Sequence, residues 1–173
     1  GSLRVEVKEL AQKDVWQSRQ FDGTTVTKDS KINMGNLTIN GTSIDTTNKS
    51  YSDLVTEINK ISGVQASLIE SSDGKFRLAI KSTETGTANK INFNTKDISG
   101  NDLGVSSGAA KLFGDGSALS DSLNVLKAQD MELKADGVNY SSSSNTVTID
   151  GLKITATKKG GDSTINIEND TTT

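Results

Sequence analysis

The chain has 173 residues, of which 32% are hydrophobic, with no Cys, His or Pro and a net charge of −3. Without Cys or His it has no disulfides, no thiol nucleophile, no imidazole base and none of the residues that build most zinc sites. An acidic balance with interleaved charges argues against a nucleic-acid face, and no apolar run approaches the ~18 residues of a membrane-crossing helix. Gly1 and Ser2 read as a cloning remnant, so the chain is expected to be a piece of a longer protein.

In chain order, LRVEVKEL (3–10) alternates Leu3, Val5 and Val7 against polar neighbours, the period of a half-buried strand. AQKDVWQSRQ follows without periodicity. The Thr-rich 21–31 segment reads as a loop with a short strand over 24–27. Leu37 and Ile39 then alternate with polar residues up to Asn40 and Gly41, a pair suited to a tight hairpin.

Ser50 caps the next element, and Asp53 completes an S-x-x-D capping box. Leu54, Val55, Ile58 and Ile61 recur at helical spacing, and Gly63 fits a left-handed C-terminal cap, so a helix is predicted over about 51–62. Val64, Ala66 and Leu68 alternate before an Asp–Gly turn at 71–74, and Phe76, Leu78 and Ile80 alternate after it. This predicts an antiparallel pair with Lys75, Arg77 and Lys81 on the solvated face. Ile91 and Phe93 mark a further strand.

Residues 96–122 are rich in Gly and polar residues and read as a linker with a short helix around 109–113. The C-terminal block returns to alternation, with turn signals at Asp136–Gly137, Asp150–Gly151 and Gly160–Gly161–Asp162. The first strand has no sequence neighbour to pair with, so it is expected to join this C-terminal sheet. The predicted fold is mainly β (α+β), with two small antiparallel-sheet domains. A discontinuous β domain comprises 3–29 and 119–173, and an inserted α+β domain comprises 30–118.

No catalytic residue, cofactor or metal site is expected, because the carboxylates fall on turns and solvated strands rather than in an apolar cleft. Asp97, Asn101 and Asp102 lack calcium-loop spacing and read as turn residues. Sequons at Asn36, Asn40, Asn48, Asn139 and Asn169 are common enough by chance in such a composition to carry little. Trp16, Tyr51 and Tyr140 are candidate interface anchors, with local packing the competing reading, and Trp16 with Arg19 and Asp22 comes nearest to an aromatic platform flanked by a cation and an anion.

Four stretches together carry a family resemblance. LTINGTSI, SYSDLVTEINKISG, VQASLIESSDGKFRLAIKS and ETGTANKINF (37–93) resemble the hook-IN motif of extracellular flagellar proteins. VEVKELAQKD (5–14) looks like the entry strand of the flagellar filament cap (hook-associated protein 2) family. AQDMELKADGVNYSSSSNTV (128–147) and LKITATKKGGDSTINIEND (152–170) are similar to its exit segment and last two strands. The resemblance implies the head of an extracellular cap subunit at the distal filament tip. That head would have a discontinuous lower and an inserted upper domain, and would promote flagellin polymerisation beside other cap subunits. The alternatives are an adhesive module binding host glycans or mucin, and a flagellin outer domain. The family's helical legs are missing, so the piece is expected to be monomeric or only weakly associating.

Overall fold

The computed structural model describes residues 3–161 and 164–169; Asp162 of the predicted third turn lies outside the described residues. The chain divides into two compact units. An all-β unit is formed from Gly1–Asp14, Glu84–Lys90 and Lys127–Thr173, and a helix-bearing unit from Val15–Thr83 and Ile91–Leu126.

In the all-β unit, β1 (Val5–Glu9) pairs antiparallel with β10 (Met131–Ala135), which forms a hairpin with β11 (Val138–Ser142). Val5 lies opposite Ala135 and Val7 opposite Leu133, so the alternating apolar positions of both strands share one face. The expected return of the first strand to the C-terminal block is thus observed. A second sheet runs β12 (Thr146–Ile149), β13 (Leu152–Ala156) and β14 (Ile165–Asn169). Both hairpins turn on Asp–Gly pairs with positive φ at each residue, 47° and 82° at Asp136 and Gly137, and 50° and 78° at Asp150 and Gly151. That is the mirror-image turn whose twist matches the flanking strands. Met131, Leu133, Val5, Val7, Ile149 and Ile154 form the core.

The helix-bearing unit contains β2 (Val15–Gln17), the hairpin β3 (Asn36–Ile39) and β4 (Thr42–Asp45), α1 (Tyr51–Ile58), β5 (Val64–Glu70) and β6 (Phe76–Ser82). It continues with β7 (Asn94–Lys96), β8 (Asp102–Val105), α2 (Ser107–Leu112) and β9 (Asn124–Leu126). Its main sheet has the order β5-β6-β2-β9. Helix α1 starts as predicted: Ser50 Oγ accepts from the Asp53 N–H at 3.0 Å, and Asp53 Oδ2 accepts from the Ser50 N–H at 3.2 Å. It ends at Ile58, four residues short of the predicted limit: Asn59 is its C-cap, with its N–H still donating to Val55 O and its side-chain amide bonded to Ala66 of β5. Leu54 and Ile58 are fully buried, while Val55 and Ile61 are partly so.

Three local expectations are corrected. No strand forms at 24–27, because Asp22 Oδ1 gathers the N–H groups of Thr24, Thr25 and Val26 into a loop. The strand expected at Ile91 and Phe93 forms instead at β7, leaving those two side chains buried just before it. The 96–122 stretch is built of β8, α2 and turns closed by Asp97 and Asp115, and Leu112 and Phe113 lie in the core. Gly108 lets α2 approach β3, since a Cβ there would lie 2.8 Å from Asn36 O and 3.1 Å from the Leu37 Cα.

The unit limits also differ from the expected ones at 29/30 and 118/119. Residues 15–29 belong with the helix-bearing unit because β2 pairs with β6, and Phe21 exchanges backbone hydrogen bonds with Phe76. Residues 84–90 belong to the all-β unit, where the Gly86 N–H donates to Gln12 O and the Thr87 N–H donates to Asp130 Oδ1.

Candidate interaction surfaces

The residues singled out from sequence as an exposed platform are separated by the fold. Trp16 sits on β2, whose side chain points into the core, and is only 5% exposed. Its ring meets Phe93 edge-on at 5.5 Å and Phe113 at 6.3 Å between centroids, while Phe93 and Phe113 stack at 5.2 Å. Aromatic pairs at these separations add to the burial of their area. Trp16 therefore offers no stacking surface to a sugar ring, which corrects the expected platform. Arg19 instead donates from Nη1 to Lys111 O at 3.0 Å and lies over the Phe21 ring.

Asp22 is committed to its loop. Three backbone N–H donors at 2.9, 2.9 and 3.0 Å lower its pKa from 3.8 to about 2, that of Val26 having the largest effect. The same physics governs the other turn carboxylates. The Asn101 N–H lowers Asp97, the Thr47 N–H lowers Asp45, the Ala118 N–H lowers Asp115, and the Asn94 amide lowers Asp102. General acids need the opposite shift, from burial in apolar surroundings. These carboxylates close turns. Tyr51 and Tyr140 behave differently from each other: Tyr51 packs against Phe21 and Phe76, and burial raises its phenol pKa, whereas Tyr140 is half-buried.

Two other surfaces stand out, both in the helix-bearing unit. One is the tip of the β7–β8 hairpin. Asp97 Oδ1 accepts from the Ser99 and Asn101 N–H groups at 2.9 and 2.8 Å, and Oδ2 accepts from Asn101 Nδ2 at 3.0 Å. The Gly100 N–H donates to Asp97 O, closing the turn. Asn94 Nδ2 bonds both Asp102 oxygens at the root. On this framework Ile98 is fully exposed, and Leu103 of β8 is 64% exposed. Both side chains are left out of the core by this turn. Sequence reading missed them because the Gly and Asp of DISGND read only as linker punctuation.

The second surface is the outer face of the main sheet. Val15, Gln17, Gln65, Ser67, Ala79 and Lys81 line a shallow groove of ≈ 620 Å³ there. Among the described residues, no group of three or more metal-ligating side chains comes together.

No protein-family model matches the chain. Flagellar hook-associated protein 2 of Campylobacter jejuni is 30% identical over 201 aligned residues, which cover 98% of this chain but 31% of that protein. The chain thus spans about a third of the length of this curated relative. The D2–D3 domains of the flagellar cap protein FliD from Escherichia coli share the fold, with a TM-score of 0.64 and 23% identity over 97% of this chain and 87% of that one. FliD (HAP2) from Pseudomonas aeruginosa matches with a TM-score of 0.58 and 26% identity, over 86% of this chain and 69% of that one.

Proposed function

We propose, from the premise that this chain belongs to the flagellar filament-cap (hook-associated protein 2) family, that it is the head of a cap subunit with a structural role in assembly. On this reading it lies outside the cell at the distal filament tip, beside other copies of the cap subunit, and helps flagellin into place. The all-β unit corresponds to the lower head and the helix-bearing unit to the upper head. The single observation that carries the proposal is the match to the relative over 98% of the chain.

The physical character of the surface supports this reading. A subunit that must make and break contacts as flagellin is added needs many weak polar contacts and a few fixed projections. Turns closed by carboxylates supply rigid polar tips, and the β7–β8 hairpin supplies an apolar one. Asp22, Asp45, Asp97 and Asp115 are held by the backbone of their own turns, which supports a non-enzymatic role. Deleting 15–126 from the full-length protein tests the proposal in a motility and filament-length assay. Short filaments with flagellin released into the medium are expected. Normal filaments with lost surface attachment would overturn it.

A further inference from the structure

The main sheet of the helix-bearing unit ends on β5, its longest exposed edge. The β5–β6 register runs from Val64 opposite Ser82 to Glu70 opposite Phe76 without a shift. In an antiparallel pair, successive residues direct their N–H and C=O alternately toward and away from the partner. The Ser71 N–H donates to Lys75 O and the Thr83 N–H donates to Gly63 O. Odd-numbered positions therefore face β6, and Val64, Ala66, Leu68 and Glu70 face the open side. Edges of this length are normally blunted by Lys, Pro or a bulge. Residues 64–69, VQASLI, carry no charge and no Pro, and the strand has no bulge.

One side chain takes the place of those devices. Asn59 Nδ2 donates to Ala66 O at 3.1 Å, and the Ala66 N–H donates to Asn59 Oδ1 at 2.7 Å. A primary amide carries the same donor and acceptor as a peptide group, so Asn59 stands in for one residue of a neighbouring strand at the middle of the edge. It is fixed there as the C-cap of α1, with its own N–H donating to Val55 O at 3.0 Å. Helix α1 is in turn anchored by buried Leu54 and Ile58.

We infer that Asn59 closes the β5 edge against strand addition, and that without it β5 recruits β5 of a second copy of this chain. The strand is its own complement. A two-fold axis at Ser67 sets Ala66 opposite Leu68 and Val64 opposite Glu70, so the outward-facing positions meet one another. It also keeps like charges apart, because Glu70 faces Val64. Strand addition of this kind uses main-chain hydrogen bonds for affinity and needs no dedicated pocket.

Hydrogen exchange on the native chain makes the first test, because Leu68 faces the same way as Ala66 and, among the described residues, has no side-chain guard. The Ala66 amide is expected to exchange about tenfold more slowly than that of Leu68, the worth of one well-made hydrogen bond. Equal rates would overturn the inference. Asn59→Ala should then accelerate Ala66 exchange in dilute solution and convert a monomer to a concentration-dependent dimer in sedimentation equilibrium. Asn59→Ala/Ala66→Pro removes the outward N–H and should return the protein to monomer. An Asn59→Ala variant with native Trp16 emission that stays monomeric at high concentration would overturn the inference. Should that variant fail to fold, Asn59→Asp keeps the acceptor for the Ala66 N–H and loses the donor to Ala66 O. Its dimerisation decides the matter in the same way.

Discussion

The two units solve the same problem, a polar chain with few apolar residues, by different means. Among the described residues, the helix-bearing unit gathers eighteen buried apolar side chains into one cluster, against nine in the all-β unit. Each large buried side chain contributes roughly 1.5–3 kcal/mol, so the helix-bearing unit is expected to be the more stable. Six aromatic rings, Trp16, Phe21, Tyr51, Phe76, Phe93 and Phe113, are buried in the first, while the second relies on Met131, Leu133, Ile149, Ile154 and smaller aliphatic residues. A thin-cored sheet unit can persist with ideal turns in place of core volume. A unit that also carries helices needs aromatics to fill the space between layers.

Trp16 is the single tryptophan and lies in the helix-bearing core, so its fluorescence reports that unit, whereas far-UV circular dichroism reports both. Urea unfolding followed by dichroism is expected to begin before the fluorescence changes. Coincident transitions would break the comparison. Phe113→Ala should have the largest effect, costing about 3–5 kcal/mol in the fluorescence-detected transition. Leu133→Ala, about 2–5 kcal/mol, should act on the early dichroism phase.

Gly108→Ala comes next, because the added methyl group meets the β3 backbone; overpacking of this kind costs about 1–3 kcal/mol. Native stability in that variant would mean that α2 shifts freely off β3. Ser50→Ala removes the N-cap and should cost about 1 kcal/mol, read by thermal unfolding. The smallest effect belongs to Asp22. Its folded pKa of about 2 lies below the ordinary 3.8, so its stabilisation is complete above 3.8 and is lost as pH falls through about 2. Asp22→Ala should flatten the acid limb of the stability curve over that window and leave neutral-pH emission of Trp16 unchanged.

Legibility differed by region for the same reasons. Helix α1 could be read in advance because its N-cap box and apolar stripe lie close together in sequence, whereas its end could not, since Asn59 and not Gly63 is the C-cap. The hairpins were legible because Asn40–Gly41, Asp136–Gly137 and Asp150–Gly151 demand positive φ whatever surrounds them. The 96–122 stretch was legible only in its short helix, because the rest depends on Phe113 finding Trp16 and Phe93, which are distant in sequence. The expected Trp16 platform failed for the same reason: an isolated aromatic reads identically whether it faces solvent or a core. Asn59 gave no local signal at all, since its partner becomes visible only once β5 is an edge.

Local sequence alone determined the turns, the one capped helix, the alternating strands, and the absence of thiol and imidazole chemistry. These depend on backbone dihedral preference and side-chain type within a few residues. Tertiary structure alone decided which strand meets which, that 15–29 and 84–90 fall in units other than expected, and which aromatics are buried. It also decided that an asparagine side chain stands in for a strand. Those outcomes depend on burying apolar surface and pairing backbone groups between residues far apart in the chain, and no short window of sequence carries that information.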